Sequence, residues 1–309
     1  MDMAVVSDSG LLRRFLAVAT DGSISAAAQR LAITQPALSK SINQLEARLG
    51  VQLFERLPRG VALTAFGQTL LPHARRIEAE CHFAEVEMRA FRSGRSGRLR
   101  VGAGPFFGVA LLPRAVARLQ AQYPELTVEL EVGVNELTHP RLFDGKLDLV
   151  FCGLPDPESV PPFIARHAFF EMQSRIVAGG GHPLLAKKRI APGDLAPYPW
   201  AIYQQDREMV SHLFAALRDL GAAPPRITTE FTSLTALIQI LKAGPYLSCV
   251  ADALVKAEPG LGLRIVPHLG AVRRFAGGGM VHRSLENYAP AVALLEAVRG
   301  EAARLAKLR

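Results

Sequence analysis

Between residues 9 and 50 the apolar positions fall into three short groups at helical spacing, separated by brief polar stretches. They predict a first helix over 10–21, a second over 26–31 that begins after a Ser25 cap, and a third that follows Thr34, with Pro36 tolerated in its first turn. Only Ala32 and Ile33 separate the last two. Two short helices joined by so tight a turn outline a helix-turn-helix, whose second helix enters the DNA major groove.

On that third helix Leu38, Ile42, Leu45 and Leu49 recur at spacings that gather them into one buried stripe. Pro36, Lys40, Asn43 and Ala47 lie opposite, with Gln35 and Ser39 on the flank. The polar face suits a base edge: Lys meets phosphate or guanine, Gln and Asn pair with adenine, and the Pro36 ring packs on a thymine methyl. Thr34 at the cap can bond a phosphate beside the free amides of the helix start. For a lone helix, Ser39, Lys40 and Asn43 would be an ordinary solvated face; the tight turn before it favours the DNA reading.

Residues 51–55 and 61–63 read as short strands around the Pro/Gly turn 56–60, the outline of a wing. Arg59 at the turn suits a narrow minor groove and Arg56 the backbone, with a solvated turn arginine as the plain alternative. From 65 to 92 follows one long helical pattern with Phe66, Leu70, Ala74, Ile77, Cys81, Ala84, Met88 and Phe91 close to an a/d seam. No earlier helix of similar length is present to cover it, so the expected partner is a second subunit. Pro72 would cost about 3 kcal/mol in a regular interior, which predicts a bend or an altered helix start. Residues 93–97, with Gly and Ser, read as a hinge.

Beyond the hinge, strands and helices alternate. Strands are expected at 99–101, 126–132, 147–151, 174–178, 200–203, 227–231, 247–250 and 280–281, and helices at 107–122, 137–143, 209–220, 234–243 and 289–308. Ligands of open α/β sheets sit outside the carboxyl ends of strands, which selects Pro105, Phe106, Phe107, Asn135, Glu136, Ile202, Tyr203, Thr232 and Ser233 as candidate contacts. Phe106 and Phe107 suit the hydrophobic core equally well.

Charge sharpens the picture. The 309 residues carry 36 basic and 28 acidic side chains, a net +8. Residues 88–124 hold seven arginines and no carboxylate, and residues 22–64 hold five basic side chains against two acidic ones. A polyanionic partner needs charge focused in this way. No apolar run approaches the ~20 residues of a membrane span, and MDMAVVSDSG lacks the regions of a signal peptide, so a cytoplasmic protein without membrane contact is expected. Cys81, Cys152 and Cys249 are far apart, which suggests neither a disulfide framework nor a zinc site.

Enzymatic motifs are poor. Gly102-Ala103-Gly104 would place the third glycine of a dinucleotide fingerprint at Phe107, and GxSxG, HExxH and P-loop patterns are missing. The expectation is a non-enzyme without cofactor or metal. An α/β enzyme or binding protein with a non-regulatory basic N-terminal domain is the competing reading, and an architectural DNA binder a third.

The stretch SISAAAQRLAITQPALSKSINQLEARLGVQLFERLPRGVALTAFGQ resembles the winged helix-turn-helix of LysR-type transcriptional regulators. The likeness continues through LLPHARRI, LRVGAG, LLPRAVARLQAQYPELTVEL, FDGKLDLVF and GGGHPLLA. It implies a winged helix-turn-helix over 1–64, a dimerisation helix over 65–92 and a two-lobed effector domain like periplasmic binding proteins over 98–309. Lobe I would hold 98–164 and 269–309, and lobe II 165–268. By the same resemblance Gln35, Pro36, Ser39 and Lys40 fall in the recognition helix and Arg56 and Arg59 in the wing. The implied partners are operator DNA, a small-molecule effector, further copies of the chain up to a homotetramer, and RNA polymerase. Where the family commonly offers Ser or Thr hydroxyls to an anionic inducer, this chain reads Gly104-Pro105-Phe106-Phe107-Gly108, a departure that favours apolar or ring-containing surface.

Overall fold

The structure, a computed structural model, describes residues 8–58, 60–93 and 97–307, except the side chains of 82, 83, 85–87, 89–93, 306 and 307. The chain divides into two compact units, Met1–Met88 with Asp144–Lys146, and Arg89–Phe143 with Leu147–Arg309.

The first unit begins with helices α1 (Ser9–Asp21), α2 (Ile24–Arg30) and α3 (Gln35–Leu49). Gly22, left-handed at φ 61°, ends α1, and Ser23 in extended conformation starts α2 by accepting from the Ala26 amide at 3.4 Å. The cap is therefore Ser23 and not Ser25, which lies one residue inside the helix. Leu38 and Leu45 are fully buried and Ile42 nearly so, against Leu11, Leu12, Phe15 and Val18 of α1. Each such side chain contributes about 1.5–3 kcal/mol of burial.

Strands β1 (Phe54–Leu57) and β2 (Gly60–Leu63) pair antiparallel, Phe54 opposite Leu63 and Leu57 opposite Gly60. Because β1 runs on to Leu57, Arg56 stands in the strand opposite Val61, not in the turn. Gly60, at φ 113°, is required here: a Cβ would lie 2.3 Å from the Gly22 carbonyl oxygen. Helix α4 (Ala65–Ser93) starts where Thr64 Oγ1 accepts from the Gly67 amide at 3.1 Å, and it continues as one segment through Pro72. Its first turns complete the unit's core. Ala74 is fully buried there and Leu70 and Ile77 pack beside it.

The second unit holds β3 (Gly97–Ala103), a π-helical turn Phe107–Leu111 leading into α5 (Leu112–Gln122), β4 (Leu126–Val132), α6 (Asn135–Phe143) and β5 (Leu149–Gly153). Then come β6 (Ile164–Gly179), β7 (Pro199–Tyr203), α7 (Arg207–Asp219), β8 (Arg226–Phe231), α8 (Leu234–Ala243), β9 (Leu247–Ala251), α9 (Asp252–Ala257), β10 (Leu263–Ile265), β11 (Arg273–His282) and α10 (Ala289–Lys307). The sheet order is β4-β3-β5-β11-β6-β9-β7-β8, with β10 against β6. Two separate cores flank it: one around Leu142, Val150, Cys152 and Met280, the other around Ile176, Trp200, Leu213 and Leu247.

Strands β6 and β11, antiparallel to each other, run past both cores. The expected strands 174–178 and 280–281 are only their ends. Sequence pattern conceals the rest, because much of β6 alternates weakly and β11 contains Gly277-Gly278-Gly279, which reads as loop. The glycines are needed for packing: a Cβ on Gly278, beside a register shift, would lie 2.1 Å from the His167 carbonyl oxygen.

Candidate nucleic-acid interface and ligand cleft

Helix α3 opens on Thr34, whose Oγ1 accepts from the Ala37 amide at 3.3 Å. The turn before it passes through Ala32 at φ 54°, a left-handed position that costs a residue with a Cβ about 1–2 kcal/mol. With the leucine stripe turned inward, Thr34, Gln35, Pro36, Lys40 and Asn43 are exposed and Ser39 is half-buried. The candidates thus share one open face.

Two anchors set that face. Ser25 Oγ on α2 donates to Gln35 Oε1 at 3.1 Å, which leaves the Gln35 amide nitrogen to donate outward. The Glu46 carboxylate accepts from the amides of Leu53, at 2.7 Å, and Phe54, at 3.2 Å, and so ties the entry of the wing to α3. Ser41, buried on the inner side, accepts from Arg14 Nη1 at 2.8 Å and donates to the Ala37 carbonyl. Arg56 is exposed on β1, and Arg59 lies outside the described residues. Sequence reasoning missed the roles of Ser25 and Glu46, although Glu46, an acidic side chain one position beyond the buried Leu45, was a usable signal.

The expected seam on α4 is divided. Ala74 is fully buried within its own unit, and Leu70 and Ile77, half-buried, pack against the same core, so the helix covers the three-helix core before it extends further. Cys81, Ala84 and Met88 are exposed, Met88 to 63%, and the Phe91 side chain lies outside the described residues.

In the second unit a cleft enclosing about 750 Å³, its open mouth included, lies among the ends of β3, β7 and β9 and the crossing strands. Pro105, Phe106, Phe107, Asn135 and Tyr203 line it. Phe106 and Phe107 are 4% and 1% exposed, with ring centroids 5.2 Å apart edge to face, so they are core residues whose rims form the cleft wall. Ile202 instead lines a separate depression beside α7. Glu136, Thr232 and Ser233 line neither; Ser233 caps α8 by accepting from the Ala236 amide, at the edge strand of the sheet. The cleft lies inward of that edge, where β9 ends beside β6, and this is why strand-end reasoning failed there.

The polar groups converge at the start of α7. Asp206 caps the helix by accepting from the Met209 amide at 3.2 Å, and Glu136, from α6, accepts from the Glu208 amide at 3.0 Å. Arg273 Nη2 pairs with Glu208 at 2.7 Å while its guanidinium sits 5.3 Å above the Phe275 ring centre. Burial, followed by the nearby Glu136 charge, raises the Asp206 carboxyl to about 6. The Tyr203 hydroxyl is buried without a hydrogen-bond partner, and its ionisation is pushed upward by burial and by Asp206. His139, with Nε2 3.1 Å from Cys152 Sγ, is lowered to about 4 by burial. Met172, Ser174, Arg273 and Phe275 escaped sequence reasoning because they come from β6 and β11, whereas Asp206 carried a readable cap signal three residues before Met209.

Among the described residues there is no cluster of side chains able to hold a metal ion, and no helix is long and apolar enough to cross a membrane. Residues 10–68 match the family described as bacterial regulatory helix-turn-helix protein, lysR family, and residues 92–303 match the LysR substrate binding domain. The SDS degradation transcriptional activation protein of Pseudomonas sp. (strain ATCC 19151) is 33% identical over 96% of this chain and 95% of its own. A full-length OxyR from Pseudomonas aeruginosa superposes with a TM-score of 0.64 at 21% identity, over 94% of each chain. Full-length CbnR complexed with its target DNA does so with a TM-score of 0.61 at 23% identity, over 95% of this chain and 99% of that one. At such identities the two structures establish the fold. The chain belongs to the LysR family: it is a DNA-binding transcriptional regulator with an effector-binding domain, and not an enzyme.

Proposed function

We propose that α3 docks in the DNA major groove through Gln35, Pro36, Ser39, Lys40 and Asn43, with Thr34 on a phosphate and Arg56 and Arg59 holding the flanking backbone or minor groove. The observation that carries this is the exposed face of α3, set directly after a capped helix start and opposite the buried stripe Leu38, Ile42 and Leu45. In this scheme residues 1–64 bind DNA, 65–92 join subunits through the exposed part of α4 around Cys81, Ala84 and Met88, 93–97 act as a hinge, and 98–309 bind an effector in the cleft.

An effector that prefers one arrangement of the two cores shifts the packing of subunits, and with it the spacing or bend imposed on paired half-sites. An effector of equal affinity for both arrangements changes nothing. The family resemblance supports assembly to a homotetramer, contact with RNA polymerase and action in the cytoplasm. The test is a gel shift of the full chain on DNA from upstream of its own gene against unrelated DNA of equal length. A preference of about a thousandfold or more is expected; equal affinity for both would refute sequence-specific docking.

A further inference from the structure

Resting on the assignment of the cleft as the effector site, we propose that its ligand carries a protonated amine on an aromatic or hydrocarbon body, with Asp206 as the counter-ion. The start of α7 would ordinarily welcome an anion, but it is already occupied. The Glu208 amide is taken by Glu136 at 3.0 Å and the Met209 amide by Asp206 at 3.2 Å, both carboxylates of the chain itself.

The charges around this point do not balance. Arg273 is the one cation among the described residues lining the cleft, and it is committed to Glu208 at 2.7 Å. Asp206, in the cleft lining, is left over, and Glu136, outside the lining but near enough to raise the Asp206 carboxyl, adds a further negative charge. Glu136 Oε2 is buried with no hydrogen-bond partner; the Tyr203 hydroxyl, likewise buried and unpartnered, can donate as well as accept, so what the site lacks is positive charge. A carboxylate entering here would be desolvated beside like charges, whereas an ammonium supplies both what the acceptors lack and the missing cation.

The walls fit the remainder of such a molecule. Phe106, Phe107, Phe275 and Met172 line the cleft, and an arginine already rests over Phe275, showing that its ring face accepts a cation. Between Gly104 and Gly108 the chain has no side-chain hydroxyl, and the hydroxyls that line the cleft come from Ser174 and Tyr203. Burial and then the Glu136 charge raise the Asp206 carboxyl, and Arg273 only partly offsets them.

Calorimetry of the full chain tests this with phenethylamine, phenylalanine and hydrocinnamate, which share a body and differ in charge. Phenethylamine is expected to bind, hydrocinnamate about tenfold more weakly or not at all, and Asp206→Asn to weaken phenethylamine by about ten- to a hundredfold. Asparagine preserves the α7 cap, and Glu136→Gln provides a second variant with the same expected direction. Phenylalanine bound through Asp206 would support the proposal with an amino acid as the source of the amine. Hydrocinnamate binding as tightly as phenethylamine, no binding of either amine at millimolar concentration, or amine binding unchanged in both variants would overturn it. If the same preparation still protects a specific DNA site, only the ligand class has failed; if no DNA specificity is found, the regulator assignment itself has failed.

Discussion

Ser25 Oγ, on α2, donates to Gln35 Oε1 at the first residue of α3, 3.1 Å away. The two short helices are thereby joined on their exposed side, and the Gln35 amide is turned so that its nitrogen faces outward. Removing the hydroxyl frees the Gln35 side chain to sample rotamers that the proposed base contact would not use. Ser25→Ala is expected to weaken operator binding by about three- to tenfold, in proportion to one neutral hydrogen bond, with an unchanged melting temperature. Affinity equal to wild type in fluorescence anisotropy would show that the anchor has no part in docking.

Lys40 is exposed on the same face, and a phosphate contact there would release counterions. Lys40→Ala is expected to lower affinity for all sequences and to reduce the slope of log affinity against log salt by about one. A variant with wild-type affinity and slope would remove Lys40 from the interface.

Position on α4 decides whether a charge harms the fold or the assembly. Ala74 is fully buried in its own unit, whereas Met88 is 63% exposed. Ala74→Asp is expected to unfold the N-terminal unit by burying an unpaired charge, and Met88→Asp to lower the oligomeric state in sedimentation while leaving the melting temperature unchanged. An unaltered oligomer in Met88→Asp would exclude this stretch of α4 from the subunit contact.

Asp206 makes stability depend on pH. Its carboxyl is raised from 3.8 to about 6, so between these values the folded chain holds a proton that the unfolded chain has released. Stability from this group therefore falls as pH rises through that window, and the loss is complete above it. Burial presses most in this direction, followed by Glu136 and Glu208, while the hydrogen bond from the Met209 amide and Arg273 oppose it. His139, lowered to about 4, contributes with the opposite sign, because below its ordinary 6.5 the unfolded chain takes up the proton first. The difference between wild type and Asp206→Asn isolates the carboxyl. The variant is expected to gain melting temperature over wild type as pH rises from about 4 to about 6. A constant difference across that range would mean that Asp206 titrates normally.

Much of the architecture was legible because local signals agreed. The stripe Leu38, Ile42 and Leu45 located the buried side of α3, and the expected limits 126–132 and 234–243 coincide with β4 and α8. Periodicity along α4 revealed an apolar stripe but not what covers it, since Ala74 within the chain and Met88 outside it follow the same spacing. The cleft was half legible. Phe107 and Tyr203 follow strand ends, but Arg273 and Phe275 meet Asp206 only through the long antiparallel pairing of β6 with β11, a contact between residues distant in sequence.

The most direct measurement is a footprint of the purified full chain on the DNA upstream of its own gene, repeated across a salt series. Docking of paired α3 helices should protect a site with dyad symmetry, its half-sites about one helical turn or a multiple apart, and protection should fade steeply as salt rises. Uniform protection without a boundary at every salt concentration would contradict sequence-specific recognition by α3.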